Sequence, residues 1–504
     1  MKLNTHAERG TQPSPWRTFV LVAVAQFMVV LDVSITNVAL PAIQRSLHFS
    51  TSSLQWIITA YALTFGGFLL LGGRAADLFG RRRMLIIGMG GFTLFSLLIG
   101  IGQSAIMVVA LRSLQGLAAA FMSPAALSIV LTTFQEGRDR NRALGFWAIV
   151  STGGAAVGLL LGGVLTQFVG WRWNFFVNVP VGLIMAIAIS RYVPKHEQEE
   201  TQRTLDLPGA LLVTTGLIAL VYAITRAPIA GWLAPSTLGI LTIAAALLGA
   251  FFYNESRSSH PLMPLSIFKV RNLSGGNLIM APVYAGMMGT FFLLSLYVQA
   301  VLHYGPALGG LSFLPFPITL AIVASQVAKL VTRYGYKPFL VAGPVVAGSA
   351  MLMLTQLTAT SSYLTHVLPL MILMPLGMGM TFMPTYAAAT SGVPAHKSGL
   401  ASGLINTSQQ LGGALGLAVL AGIAAATATA AHSAPLVALV QGFDRAFLVG
   451  SSLMFIAAFL AATIIKQPRP ATANTSKAED PRPSAATQQQ ASGSRYVAPD
   501  RNQN

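Results

Sequence analysis

Long apolar runs separated by short polar segments organise the chain. Continuous apolar stretches fall at 18–41, 55–73, 84–103, 105–131, 143–167, 174–193, 207–226, 235–253, 274–299, 305–328, 338–358, 364–388, 399–425 and 443–465. Each approaches or exceeds the roughly 20 residues that a helix needs to cross a bilayer core. The runs do not alternate in the way of ten-residue barrel strands, which excludes an outer-membrane barrel. The pattern predicts an all-α polytopic membrane protein with fourteen transmembrane helices. An even count places both termini on one side.

The loops say which side. Arginine and lysine gather on alternate connections. One set carries Arg74, Arg81, Arg82 and Arg83, then Arg138, Arg140 and Arg142, then Arg257, Lys269 and Arg271, then Lys329, Arg333 and Lys337. The other set holds Arg45, Arg172, Arg226 and Arg445. Basic loops stay in the cytoplasm, so both termini are expected there and the protein in the cytoplasmic (inner) membrane. Residues 1–17 read as a cytoplasmic N-terminal segment, not as a cleaved signal peptide. Residues 467–504, rich in Pro, Ala, Ser and Gln, read as a disordered cytoplasmic tail.

Composition narrows the class. Charged residues make up 9% of the 504 and hydrophobic ones 54%, against about 25% charged in an ordinary soluble domain. A soluble enzyme, a disordered protein and a secreted disulfide scaffold are excluded. The formal charge of +17 follows from basic loops and needs no nucleic-acid partner. There is no cysteine, hence no disulfide, thiolate nucleophile or Cys-based metal site. No Walker A loop supports ATP drive, and the eight scattered histidines support no metal site. The reading is a non-enzyme without cofactor or metal.

The loop Gly73-Arg74-Ala-Ala-Asp77-Leu-Phe-Gly80-Arg81-Arg82-Arg83 joins the second and third runs, and a weaker echo, Lys329 to Lys337, joins the tenth and eleventh. Repeated halves around a midplane cavity are the architecture of secondary transporters. The expected organisation is a six-helix half over 18–193, an inserted two-helix linker over 194–260 and a second six-helix half over 261–466.

Charge inside a span costs roughly 2.5–3.5 kcal/mol on insertion scales and marks function. Asp32 is the one acid read as deep, and Arg112 the one base. Asp32 lies nine residues before Pro41, read as its helix end, and Arg112 eight after Ser104. Those spacings put them about 14 and 12 Å from the same surface, to pair or to share one polar pocket. Burial favours the neutral form of a carboxyl group and a cation the charged form. That competition suits Asp32 to carry a proton and Arg112 to tune it. The alternative is a permanent structural pair. Gly154, Gly158 and Gly162, followed by Gly163, line one face of the fifth run, for static packing or for a sliding interface. Tyr61, Gln115, Tyr297, Gln299, Asn406 and Gln409 are candidate cavity residues, with helix packing as the alternative for each.

At these residues the chain resembles the major facilitator superfamily, in its fourteen-span drug:proton antiporter branch (EmrB/QacA-like), over roughly 15–466. The segment Leu31-Asp32 to Leu40-Pro41 is similar to the branch's first-helix signature, with Ser34 where Thr is usual. Leu111-Arg112 to Gln115-Gly116 is similar to its fourth-helix motif. The fifth-helix glycines are similar to its antiporter motif, with Leu159 where Pro is usual, and Trp171 to Pro180 also fits. The resemblance implies proton-driven rocker-switch export of amphipathic or cationic drugs. It also implies a cytoplasmic gating motif at Gly73, Arg74, Asp77, Gly80, Arg81 and Arg82. The rivals are a dedicated metabolite or siderophore exporter and a non-transporting membrane sensor. The implied partners are small-molecule substrates, protons and lipid, with room for a periplasmic adaptor in a two-membrane bacterium.

Overall fold

A computed structural model describes residues 14–134, 138–194, 206–258, 261–391, 393 and 398–467. The expected N-terminal segment up to residue 13 and the tail beyond 467 lie outside them. The described residues hold fourteen helices long and apolar enough to cross a membrane: α1 Pro15–Leu47, α2 Trp56–Phe79, α3 Arg81–Gly100, α4 Ala105–Thr133, α5 Gly145–Phe168, α6 Trp173–Tyr192, α7 Leu207–Ala227, α8 Pro235–Arg257, α9 Arg271–Val301, α10 Pro306–Tyr334, α11 Lys337–Leu354, α12 Tyr363–Thr390, α13 Leu400–Ala430 and α14 Pro435–Ile464. The chain is a multi-pass membrane protein with the expected all-α architecture.

Local chemistry sets where these helices begin. Proline occupies the first turn of α1, α7, α8, α10 and α14, where its missing N–H costs nothing. The Ser104 hydroxyl accepts from the Met107 N–H to cap α4, and the Asp206 carboxylate caps α7 through the Gly209 N–H. The two echoing loops turn on glycines with positive φ, Gly80 at 96° and Gly335 at 76°. That shared corner is the backbone counterpart of the sequence repeat.

Helices α1 to α6 pack mainly on one another through α1–α5, α2–α4 and α3–α4, and α9 to α14 through α9–α13, α11–α12 and α11–α14. Lipid gives no hydrophobic drive between helices, so close van der Waals fit holds them. A Cβ on Gly116 of α4 would sit 2.3 Å from the Tyr61 carbonyl oxygen of α2. Only glycine permits that approach. The inserted pair α7–α8 reaches the rest mainly through α7, which touches α2 and α13.

Several helices run further than the apolar pattern implied, and two of these extensions change the depth of an acid. The first run stops at Pro41, yet α1 continues through that proline to Leu47. Asp32 therefore lies fifteen residues from the helix end, about 22 Å along the axis rather than 14. Proline cannot donate to the carbonyl four residues back. The Asn37 carbonyl freed in this way accepts from the Ser295 hydroxyl of α9 at 3.1 Å, and the neighbouring Val38 carbonyl accepts from the Gln299 amide at 3.0 Å. The last helix starts at Pro435, not 443. Asp444 thus sits nine residues inside a span, and Asp32 is not the one acid placed there.

Candidate functional site

Asp32 and Arg112 meet in the middle of the first bundle. Asp32 is 0% exposed and Arg112 1%. The Arg112 Nη1 donates to Asp32 Oδ2 at 2.5 Å and to Gln115 Oε1 at 2.7 Å, while its Nε donates to the Ile57 carbonyl at 3.1 Å. The second carboxylate oxygen, Oδ1, accepts from Gln115 Nε2 at 3.0 Å and from Asn178 Nδ2 at 3.1 Å. Ser96 closes the ring by accepting from Gln115 at 2.8 Å and Asn178 at 3.4 Å. The Tyr61 ring lies 4.3 Å from the guanidinium carbon, a cation–π distance. One carboxylate thus draws donors from α4 and α6, held by α2 and α3.

Helix geometry puts these groups together. Arg112 and Gln115 are three residues apart on α4 and share a face. Burying a pair of charges costs several kcal/mol per ion unless their remaining donors and acceptors are met, and here they nearly all are. The exception is the Tyr61 hydroxyl, buried without a hydrogen-bond partner. The arrangement sets a carboxyl group against an immediate cation, with amide donors on its second oxygen. Adding a proton to Asp32 would cancel the attraction that joins α1 to α4.

A stability prediction follows from this burial. Arg112→Gln leaves the Asp32 charge buried without its counter-ion and is expected to cost about 3–5 kcal/mol. Adding Asp32→Asn should recover most of that loss. Thermal unfolding of purified single and double variants in one detergent checks it, and equal losses in both would refute it.

The remaining sequence candidates divide. Tyr61 and Gln115, read as cavity residues, belong to the Asp32–Arg112 network instead. Tyr297 is buried and donates to the Thr358 carbonyl at 2.7 Å, and Gln299 straps α9 to α1. Both therefore follow the packing alternative. Asn406 and Gln409 each accept from the Tyr386 hydroxyl, at 3.3 and 3.2 Å. Beside them the Tyr284 and Phe382 rings pack 5.3 Å apart.

The glycine stripe also divides. Gly154, Gly158 and Gly162 face Phe27, Ser34 and Ile35 of α1, whereas Gly163 faces the Pro306 carbonyl of α10. In the arginine-rich loop, Asp77 and Arg81 form an exposed ion pair at 3.4 Å. Arg82 donates to the Ser190 carbonyl of α6. Gly80 shapes the turn, Gly73 lies inside α2 facing Pro124 of α4, and Arg74 is exposed. These bonds stay within α1 to α6. Among the described residues, three hydrogen bonds cross to α9 and α10: Ser295 to Asn37, Gln299 to Val38, and the Ala307 N–H to Gln167 at 3.0 Å. All three lie at the end opposite the arginines.

Sequence reasoning missed Ser96 and gave Asn178 no role. It also passed over Asp444, which lines a cavity of about 510 Å³ with Gln441, Arg445, Thr355, Thr427 and Leu448. The apolar stretch from Pro435 to Val440, just ahead of Gln441, was the available signal for that helix start.

The Major Facilitator Superfamily family model matches residues 22–417. The chain is 40% identical over 468 residues to a puromycin resistance protein of Streptomyces alboniger, covering 91% of this chain and 92% of that one. It is 38% identical to a cephamycin export protein of Amycolatopsis lactamdurans, covering 80% and 83% of the two chains. It is 35% identical to the multidrug resistance protein Stp of Mycobacterium tuberculosis, covering 81% and 76%. Among solved structures, the POT family transporter PepTSo superposes with a TM-score of 0.63 at 14% identity, covering 88% of this chain and 97% of its own. The xylose transporter XylE of E. coli does so at 0.60 and 14%, covering 91% and 98%. These two likenesses speak to the fold.

Proposed function

We propose that this chain, which belongs to the Major Facilitator Superfamily, is a transporter that exports antibiotic-like amphipathic compounds across the cytoplasmic membrane in exchange for protons. The observation that carries the reading is the buried Asp32–Arg112 pair, hydrogen-bonded at both carboxylate oxygens and at the Arg112 Nε and Nη1. A polytopic protein maintains such a costly pair where its making and breaking is used. Protonation from the outer side neutralises Asp32 and frees α1 from α4, and release inward restores the pair. The relatives named for puromycin resistance and cephamycin export support small-molecule antibiotics as substrates. The relative Stp, named for multidrug resistance, supports the same class of compound. No adaptor protein enters this reading.

Orientation follows the loop charges, with the arginine end in the cytoplasm. The three crossing hydrogen bonds then close the outer side. The gating role of Asp77 belongs to the other half of the cycle, because its bonds here remain inside α1 to α6. The substrate surface is formed by Tyr386, Asn406 and Gln409 with the Tyr284–Phe382 ring pair. It carries no charge, and Asp32 is already engaged, so selection rests on amphipathic shape more than on cationic charge. Tyr386→Ala is expected to raise the half-saturating substrate concentration roughly 5- to 30-fold, the scale of losing one or two kcal/mol of contact, with the proton-to-substrate ratio unchanged.

Everted vesicles test the whole reading. Substrate panels would include puromycin and other neutral or weakly basic antibiotics. Expected is uptake driven by an imposed pH gradient and abolished by a protonophore. Uptake that ignores the gradient would refute proton coupling, and absence of uptake for every compound would refute export.

A further inference from the structure

Two acids outside the Asp32 network are buried at the arginine-rich end. Asp206 caps α7 and is 7% exposed, and Glu255 near the end of α8 is 3% exposed. Their carboxyl groups converge on the first turn of α7. A Cβ on Gly209 would stand 2.8 Å from Asp206 Oδ2 and 2.9 Å from Glu255 Oε1, so both oxygens crowd one spot. Two carboxylates in contact and out of water cannot both stay ionised without a compensating charge.

No such charge is present among the described residues, whose ion pairs are Arg81–Asp77 and Arg112–Asp32. Among the described residues the neighbouring charged groups are Arg74 and Asp77 on α2, Arg257 on α8 and Lys269 ahead of α9; Arg203 and His260 lie outside them. Arg226 lies at the far end of α7, and α13 carries none. None pairs with either acid.

The hydrogen bonds say which acid holds the proton. Both Asp206 oxygens have donors: Oδ1 accepts from the Gly209 N–H at 2.8 Å, and Asn254 Nδ2 reaches both oxygens at 2.9 and 2.8 Å. Glu255 Oε2 accepts from the Met263 N–H at 2.9 Å. Glu255 Oε1, buried, meets no donor. An acceptor without a donor, facing another carboxylate, is the place for a carboxylic O–H.

We propose that Asp206 and Glu255 form a second proton-binding site, in which one proton on Glu255 Oε1 is shared with Asp206. The shared proton clamps the ends of α7 and α8 to the Leu262–Met263 segment that leads into α9. Leu262 in turn packs with Ala210 of α7 and Leu71 of α2, so the clamp ties the inserted pair to both bundles. The sign is fixed by the geometry. The folded state binds the proton and the ionised pair repels itself, so stability falls as pH rises.

The test uses the full-length protein in lipid nanodiscs. Infrared spectra should show a protonated-carboxyl stretch in wild type that disappears in Glu255→Gln and shifts in Asp206→Asn. Between about pH 6 and pH 9 the melting temperature of wild type should fall, and that of Glu255→Gln, a fixed neutral isostere, should change less. Asp206→Asn also removes the repulsion and should flatten the profile if Glu255→Gln fails to fold. The proposal is overturned if the carboxyl stretch of wild type and of Glu255→Gln is the same, any band from the half-buried Asp444 being common to both. It is also overturned if all three proteins share one pH profile, or if saturating sodium or potassium alone abolishes the slope, which would make the ligand a metal cation.

Discussion

Asp32→Asn is expected to abolish uphill export while leaving a folded protein that still exchanges substrate downhill. Asparagine matches aspartate in volume, and its carbonyl can still accept from Arg112 at the position of Oδ2, while its amide must turn from the Gln115 and Asn178 amides that donated to Oδ1, at some loss of stability. What it cannot do is take up and give back a proton. A positioned proton-transferring group contributes roughly 10²–10⁴-fold to a rate, so pH-driven transport should drop by about two orders of magnitude or more. Substrate-induced proton release from proteoliposomes measures it directly. Counterflow of labelled substrate, which needs alternating access but no net proton movement, should persist in the same preparation. Uphill transport equal to wild type would make Asp32 a structural ion. Loss of counterflow together with uphill transport would show that the pair holds the bundle rather than couples it.

Asp32 and Arg112 were legible in the sequence because charge inside an apolar run is rare, and only a few residues had to be considered. The depth of Asp32 was misjudged by about 8 Å, because Pro41 reads as a helix end and is in fact inside α1, where α9 supplies hydrogen bonds to the carbonyls it frees. Ser96 and Asn178 were not legible as partners. Uncharged hydroxyl and amide groups are common in spans, and these two lie far along the chain from Asp32, on α3 and α6. Tyr61 and Gln115 were recognised as polar groups with work to do. Their destination depended on which way α2 and α4 turn their faces, which periodicity in a uniformly apolar helix does not encode. Asp206 and Glu255 look like ordinary loop acids, since sequence does not say when a helix end is covered by another segment.

Substitution of Gly310 in α10 by valine is expected to hold the outer end open and stop transport. A Cβ at Gly310 would lie 2.2 Å from the Leu159 carbonyl oxygen of α5, and one at Gly163 would lie 2.6 Å from the Pro306 carbonyl oxygen. Both obstacles are backbone, so no side chain can swing aside. Relief requires α5 and α10 to separate by more than an ångström, and that separation strains the nearby Ala307–Gln167 hydrogen bond. Overpacking of this kind costs about 1–3 kcal/mol. Applied to one side of a two-state equilibrium, that shifts the ratio roughly 5- to 150-fold. Gly153, with open space where its Cβ would be, supplies the control: Gly153→Ala should leave transport unchanged. Gly158→Ala should differ from both, because Gly158 packs on α1 in its own bundle and its crowding destabilises the fold without favouring either state. The absence of native cysteine makes the measurement clean. Single cysteines at the exposed Val169 and Leu308, carrying spin labels, should move apart in Gly310→Val relative to wild type. An unchanged label distance with normal transport would mean that the α5–α10 contact is not the gate, and would move the search for it to the Ser295 and Gln299 bonds at Pro41.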